Sequence, residues 1–289
     1  QKLIDEIEWY KKIPNDLSKL IPKIIDSNQS KKPFLKLEYI KHPTLAELWL
    51  YSDFSSKLWV EILENLFKIL KRFNEYSKFV SANDYNLIYK TKTEERINEL
   101  ISSNEYFKRI LEEDTLLING KKYHNWSVIK KQIELKIRDL YHEQDNCLTH
   151  GDLCFSNIFC DFKNKDFKLI DPRGKWGSDM YGDLKYDVAK LRHSLVGGFD
   201  TITNGLYSTS LSGNNQITVK IFEPKNYQEI CAHLDNLIKT KWNLDEIKLI
   251  EGLLFISMLP LHKDHFERQL AFYSIGIQRL NEVLDKTDE

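Results

Sequence analysis

Glycine is scarce in this chain: there are 11 in 289 residues, and none precedes Gly120. A glycine-rich loop, whose backbone N–H groups could cradle phosphates, is therefore excluded from everything ahead of that position. Cysteine is scarce too. Cys147, Cys154, Cys160 and Cys231 form no C-x-x-C pair, and the nearby histidines lack zinc-finger spacing. That excludes a zinc ribbon and leaves a reduced, cytoplasmic protein as the expectation. No apolar run approaches the ~18–20 residues needed to span a bilayer. The most apolar patch, "GLLFISMLPL", is short, is broken by Pro260 and reads as a buried helix end. No signal peptide is visible. An excess of either charge is lacking: 42 basic residues face 43 acidic ones, for a net charge of −1. No field of one sign points to nucleic acid or to an anionic membrane. A starting methionine is also missing, so a preceding segment is expected upstream of Gln1.

What is present is an ordinary globular composition, 42% apolar and 29% charged, long enough for one large domain or two smaller ones. Interleaved charges such as "KTKTEERINEL" read as solvated helix faces. "KLIDEIEWYKKI" carries apolar residues at helical spacing up to Pro14, and "PFLKLEYI" alternates like a strand. Thr44 and Glu47 form a capping box ahead of a helix. "SSKLWVEILENLFKILKRF" puts Trp59, Ile62, Leu63, Leu66, Phe67, Leu70 and Phe73 on one helical face. Helices are further expected over roughly 94–112, in "WSVIKKQIELKIRDLY", in "LKYDVAKLRHSLVG" and in two long closing segments. "NGKKY" reads as a turn, and "NGLYSTSLSGNNQITVKIF" as a hairpin with "SGNN" at its tip.

The densest chemistry lies in "HGDLCFSN", His150–Asn157, and its continuation to "LIDPRG". "NIFCDF" and "DFKLID" read as paired strands joined by "KNK". A hairpin centred on Asn164 sets Phe162 opposite Asp166 and Asn157 opposite Asp171. An amide oxygen and a carboxylate so placed suit a hard cation such as Mg²⁺. Asp152 sits on the loop leading into the same end, free to act on a proton. One base and two oxygen donors suit phosphoryl transfer.

"HGDLCFSN" with "LIDPRG" resembles the catalytic loop and metal-binding motif of the aminoglycoside phosphotransferase and choline kinase superfamily. "GDLKYDVAKL" is similar to that family's G-D-x-x-Y-D-x-A segment. The resemblance implies an α+β, protein-kinase-like two-lobed fold. Residues 1–43 would be the remnant of the N-terminal lobe and hinge, and residues 44–289 a large, mainly helical catalytic lobe. It implies Mg²⁺ and ATP (or GTP) as cofactors and a small-molecule hydroxyl as acceptor: a sugar, a polyol or an amino alcohol. Asp152 would be the base, with Asn157 and Asp171 as Mg²⁺ ligands. His150 and Arg173 complete the catalytic set, His150 as a prop for the loop. Arg173 would hold a phosphate or anionic substrate, or else pair with a neighbouring acid. Asp183 or Asp187 would anchor the loop. Glu6, Glu38, Tyr39 and Ile40 would serve the nucleotide: Glu6 pairs with a phosphate-holding lysine, and the backbone of the other three reads the base. Trp176 and Tyr181 would pack, or line the acceptor pocket.

The chain departs from the pattern at its start. The glycine loop and the lysine on the third strand have no counterpart ahead of "HGDLCFSN", and the helical Lys2 is a poor stand-in. These parts are expected upstream of Gln1. The competing reading is a kinase-like interaction domain partnering a nucleotidyltransferase. The longer motif string, with "SMLPLHKDHFERQLAFYSIGI", resembles a bacterial subgroup linked to such enzymes in surface-polysaccharide pathways. An aminoglycoside-modifying enzyme would need an acidic pocket, for which Asp245, Glu246, Glu251, Asp264 and Glu267 are the candidate acids. A choline kinase would need an aromatic cage.

Overall fold

The computed structural model describes residues 1–284; the end of the second expected lobe, 285–289, lies outside the described residues. The chain opens with helix α1 (Lys2–Lys12), whose apolar stripe buries Ile7, Trp9 and Tyr10. Pro14 ends it, and a 3₁₀ turn leads into an antiparallel pair, β1 (Ile24–Asn28) and β2 (Phe34–Leu37). β2 was legible from its alternation; its partner β1 was not. Among the described residues no other strand joins these two.

The connection 38–43 enters the helical body. Thr44 caps α2 (Leu45–Tyr51) with both arms of the expected box: its hydroxyl accepts the Glu47 N–H at 3.2 Å, and its own N–H donates to Glu47 Oε2 at 2.7 Å. Helix α3 (Ser56–Asn74) buries Trp59, Ile62, Leu63, Leu66, Leu70 and Phe73. Each such side chain contributes about 1.5–3 kcal/mol as an upper bound, so packing rather than propensity holds this helix.

The helical region expected over roughly 94–112 is present as two helices, and shorter helical elements precede them. A short helix α4 (Ala82–Tyr85) runs into a π-helical turn (Asn86–Thr91), then α5 (Lys92–Ser103). Asn104 breaks the helix and caps α6 (Glu105–Glu112), its side chain accepting the N–H groups of Tyr106 and Phe107. The "NGKKY" turn belongs to a hairpin, β3 (Thr115–Ile118) and β4 (Lys121–His124). Asn119 and Gly120 both take positive φ there, as a tight two-residue turn between twisted strands requires. After α7 (Trp126–Arg138) come β5 (Asn146–Leu148), β6 (Ile158–Asp161), β7 (Asp166–Leu169) and β8 (Tyr181–Asp183). Helix α8 (Leu184–Leu195) is buried along nearly its whole length. After α9 (Phe199–Thr203), the expected hairpin β9 (Tyr207–Ser212) and β10 (Gln216–Ile221) adds β10 parallel to β3, making one four-stranded sheet. Helices α10 (Tyr227–Lys239), α11 (Leu244–Ser257) and α12 (Phe266–Leu284) complete the body.

The architecture is α+β, with a small mixed N-terminal part on a large helical one. Among the described residues no helix is long and apolar enough to cross a membrane. The four cysteines are free and buried.

Candidate functional site

Strand β5 pairs with β8, and the chain then leaves β5 as an irregular loop through Asn157. A buried loop must find partners for its backbone. Asp187 on α8 supplies two, accepting the N–H groups of His150 and Gly151 at 2.7 Å each. Ser194, two turns further along the same helix face, accepts the Phe155 N–H at 2.9 Å. Burial pushes the Asp187 carboxyl up, to about 7, against the pull of its two donors. Asp183 caps α8 and bonds the Tyr89 hydroxyl rather than the loop. Gly151 sits at φ +75, where a Cβ would lie 2.6 Å from that of Arg173, so only glycine lets the two segments close.

Asp152 opens onto a cavity of about 860 Å³ that Asn157, Asp171 and Arg173 also line. About a third of the Asp152 side chain is exposed to it, and Oδ1 lies 2.8 Å from the Lys190 ammonium. Burial alone would raise its pKa; Lys190 outweighs that and holds it below the usual carboxylate range. His150 is buried and lines neither this cavity nor the hinge cavity described below. It packs edge-on against Trp9, and its Nδ1 accepts the Asp152 N–H at 3.3 Å. Burial lowers its pKa to about 4, so the ring is neutral at pH 7. It positions Asp152 and lies out of reach of anything in the cavity.

The expected hairpin register is off by one residue. Ile158 pairs with Leu169 and Asp161 with Asp166, so Asn157 stands opposite Ile170, whose N–H donates to the Asn157 carbonyl at 3.0 Å. The cause is the turn: Asp161 Oδ1 accepts the N–H groups of Lys163 and Asn164, closing a four-residue loop in place of the three-residue one. Asp171 nevertheless reaches the cavity, because the chain turns there into the left-handed region, φ +50.

Arg173 pairs with no carboxylate among the described residues. Its Nε donates to the Lys175 carbonyl at 3.1 Å, its Nη1 to the Tyr186 hydroxyl at 3.2 Å, and its backbone N–H to His150 O.

Of the N-terminal helix, Lys2 and Asp5 line the cavity and Glu6 does not. Glu6 makes no salt bridge among the described residues; it is half-buried beside Asp171, and burial, then the Asp171 charge, raises its pKa. Lys2 and Asp5, on the adjacent face of α1, reach the cavity instead. Lys2 pairs with Asp171 at 3.2 Å and Asp5 with Lys175 at 3.0 Å. Gly174 makes this approach possible, since a Cβ there would lie 2.5 Å from the Asp5 backbone.

Glu38, Tyr39 and Ile40 line a second cavity of about 550 Å³ with Pro22, Phe159 and Ile170. Because Ile170 faces this space and Asp171 the first one, the two cavities flank the end of β7. The Glu38 N–H is occupied by Lys23 O at 2.9 Å, which leaves Tyr39 and Ile40 with free backbone groups among the described residues.

Residues that the sequence did not single out complete the first cavity: Lys190 and Tyr186 from α8, Lys92 and Arg96 from α5, and Leu254, Met258 and Leu261 from the end of α11 and the turn beyond. Lysines in helices read as solvated from sequence; only the facing placement of Asp187 and Lys190 on α8, three residues apart, hinted at Lys190. Trp176 and Tyr181 line neither cavity. Trp176 packs among Tyr85, Tyr89 and Tyr186.

Asn157 and Asp171 fit a hard divalent cation. The Asn157 amide donates through Nδ2 to Asp152 O at 2.9 Å, which leaves Oδ1 without a hydrogen bond among the described residues. Asp171 is half-exposed, with Lys2 its salt-bridge partner. No group of three or more His, Cys, Asp or Glu side chains suited to a metal occurs among the described residues. A closed protein cage is therefore lacking, whereas Mg²⁺ takes one or two protein oxygens together with phosphates and water.

No family model and no curated protein sequence matches the chain. Among solved structures, it is similar to a thermostable mutant of the aminoglycoside phosphotransferase APH(4)-Ia in its apo form. The identity is 11% and the TM-score 0.53, over 99% of this chain and 83% of that one. An ethanolamine kinase of Plasmodium vivax is similar at 14% identity and TM-score 0.47, over 98% of this chain and 73% of that one. The first likeness establishes the fold as kinase-like and two-lobed, with a small N-terminal part that contains the β1–β2 pair.

Proposed function

We propose that this chain is a Mg²⁺-dependent phosphotransferase that moves the terminal phosphate of ATP or GTP to a hydroxyl of a small molecule. The observation that carries this reading is the convergence of Asp152, Asn157 and Asp171 on one cavity, with the loop locked by Asp187. Asp152 and Asp171 are each partly exposed to that cavity, and Asn157 turns an amide oxygen with no hydrogen bond among the described residues toward the same end of the loop.

In this reading the nucleotide base lies in the hinge cavity between Ile40 and Ile170, with Tyr39 and Ile40 offering backbone groups. Asn157 and Asp171 would hold a Mg²⁺ ion, which would supply positive charge against the negative charge developing on the phosphates. Asp152 accepts a hydrogen bond from the acceptor hydroxyl, orients it and takes its proton as the new P–O bond forms. Lys190 keeps Asp152 ionised. A weak base suffices, since a loose transition state demands little nucleophilic push. His150, neutral, fixes the Asp152 backbone. The domain division at residue 43 and the surface-polysaccharide setting rest on the motif resemblance and are part of the same proposal.

The test is phosphoryl transfer from labelled ATP or GTP to pooled alcohols, read by mass spectrometry with Asp152→Asn as control. The expected loss in that variant is about a hundred- to ten-thousand-fold, with folding retained.

A further inference from the structure

The charge lining the larger cavity is lopsided. Of its cations, Lys2, Lys175 and Lys190 are matched by Asp171, Asp5 and Asp152 respectively. Arg96 bonds Glu99 on its own helix. Lys92 and Arg173 face no carboxylate among the described residues, yet both line the cavity and both converge on the Tyr186 hydroxyl. The π-helical turn that ends at Thr91 aims Lys92 there. Burial pushes the Lys92 ammonium below its ordinary value. Tyr186 reports the same field: burial would raise its pKa, but Lys92, Arg173 and Lys190 together hold it low. A desolvated cation without a counter-charge is costly, and a ligand anion is what would relieve it. None of the acids considered in the C-terminal helices lines the cavity, and Glu246 and Glu251 pair with Lys185 and Arg192. The aromatic lining amounts to Tyr186 and Phe199, too little for a cage around a quaternary ammonium.

We infer that the acceptor is an alcohol carrying an oxyanion, a phosphate or a carboxylate, held by Lys92 and Arg173 while Asp152 addresses its hydroxyl. This rests on the phosphotransferase reading for the reaction, though not for the binding. Lys92 bonds Tyr186 of α8 and does not line the hinge cavity of residues 38–43; its anion is assigned to the acceptor, and the nucleotide KM of a Lys92 variant tests that assignment. In the transfer, the acceptor oxygen bonds the terminal phosphorus, the bond to the bridging oxygen breaks, the nucleoside diphosphate leaves and the hydroxyl proton passes to Asp152.

The experiment runs the protein with Mg²⁺ and ATP against four acceptor pools: phosphate monoesters of polyols and sugars, sugar acids, their neutral parents, and amino alcohols with aminoglycosides. Transfer to one of the first two pools is expected and identifies which oxyanion is read. Lys92→Met should raise the acceptor KM about ten- to a hundredfold, the loss of one charge-assisted hydrogen bond. The nucleotide KM should stay unchanged, and Lys92→Arg should restore most of the acceptor affinity. Preference for neutral or cationic alcohols would overturn the inference, as would a Lys92→Met effect confined to the nucleotide KM. Direct titration with glycerol phosphate, citrate and glycerol separates the two readings. Oxyanion binding that Lys92→Met weakens, without transfer to any pool, refutes the phosphotransferase and keeps the anion site. No oxyanion binding refutes the anion site, whatever the transfer result.

Discussion

The two sides of the site are built to different standards. On the α8 side, buried side chains hold the loop 150–157: Asp187 takes two N–H groups, Ser194 a third, and Asn157 ties the loop to itself. On the α1 side, the contacts to the DPRG segment are ion pairs open to water. In the Lys2–Asp171 pair the side chains are 70% and 42% exposed. The hinge is more open still, with Tyr39 86% exposed. The difference teaches where precision is needed. In the proposed reaction, Asp152 and Asn157 on the loop are placed before substrate arrives, whereas Asp171 and the hinge, on the side that would admit a nucleotide, can stay adjustable.

Three substitutions probe that contrast. Asp187→Ala should do most damage, since it strands two buried N–H groups. Unsatisfied groups cost about 1–3 kcal/mol each, so chemical denaturation should show a loss of about 2–4 kcal/mol. A loss below about 0.5 kcal/mol would mean that the loop is held by something other than Asp187.

His150→Gln tests the same side through pH. In the folded state the imidazole titrates near 4, below its ordinary 6.5. Between those values the unfolded chain binds a proton that the folded one refuses, so wild-type stability falls as pH drops through this window. The Gln variant lacks that dependence. Its deficit relative to wild type should therefore shrink by about 3 kcal/mol between pH 7 and 4. A pH-independent deficit would place a charged, solvated imidazole at position 150.

Lys2→Ala addresses the α1 side and should cost under about 1 kcal/mol, less as salt is added. A larger, salt-insensitive cost would make both sides equally fixed and remove the contrast.

Much of this was legible in the sequence where side chains act locally. The Thr44 capping box, the stripe of α3 and the β9–β10 hairpin follow from residues within a few positions of one another. Asp152, Asn157 and Asp171, singled out from one octapeptide and one hexapeptide, line one cavity as the sequence led one to expect. What was not legible depends on long-range burial or on a single turn. The β6–β7 register slipped by one because the Asp161 side chain closes the turn a residue earlier than "KNK" implied. Strand β4 was hidden by its lysines, and β1 by the bulge between Ile24 and Asp26. Lys92 and Lys190 look like solvated helix lysines until α5, α8 and the turn after α11 enclose them. Glu6 was assigned by analogy to a lysine partner, and the rotation of α1 gives the cavity to Lys2 and Asp5 instead.

The central claim is that Asp152 serves phosphoryl transfer in the cavity it shares with Asn157 and Asp171. The most direct measurement is turnover of Mg²⁺–ATP or Mg²⁺–GTP with the acceptor pools, wild type against Asp152→Asn, with both proteins shown folded by their thermal transitions. The account predicts a phosphorylated alcohol that forms with the wild type and falls by about a hundredfold or more in the variant. Equal product from both proteins would contradict it.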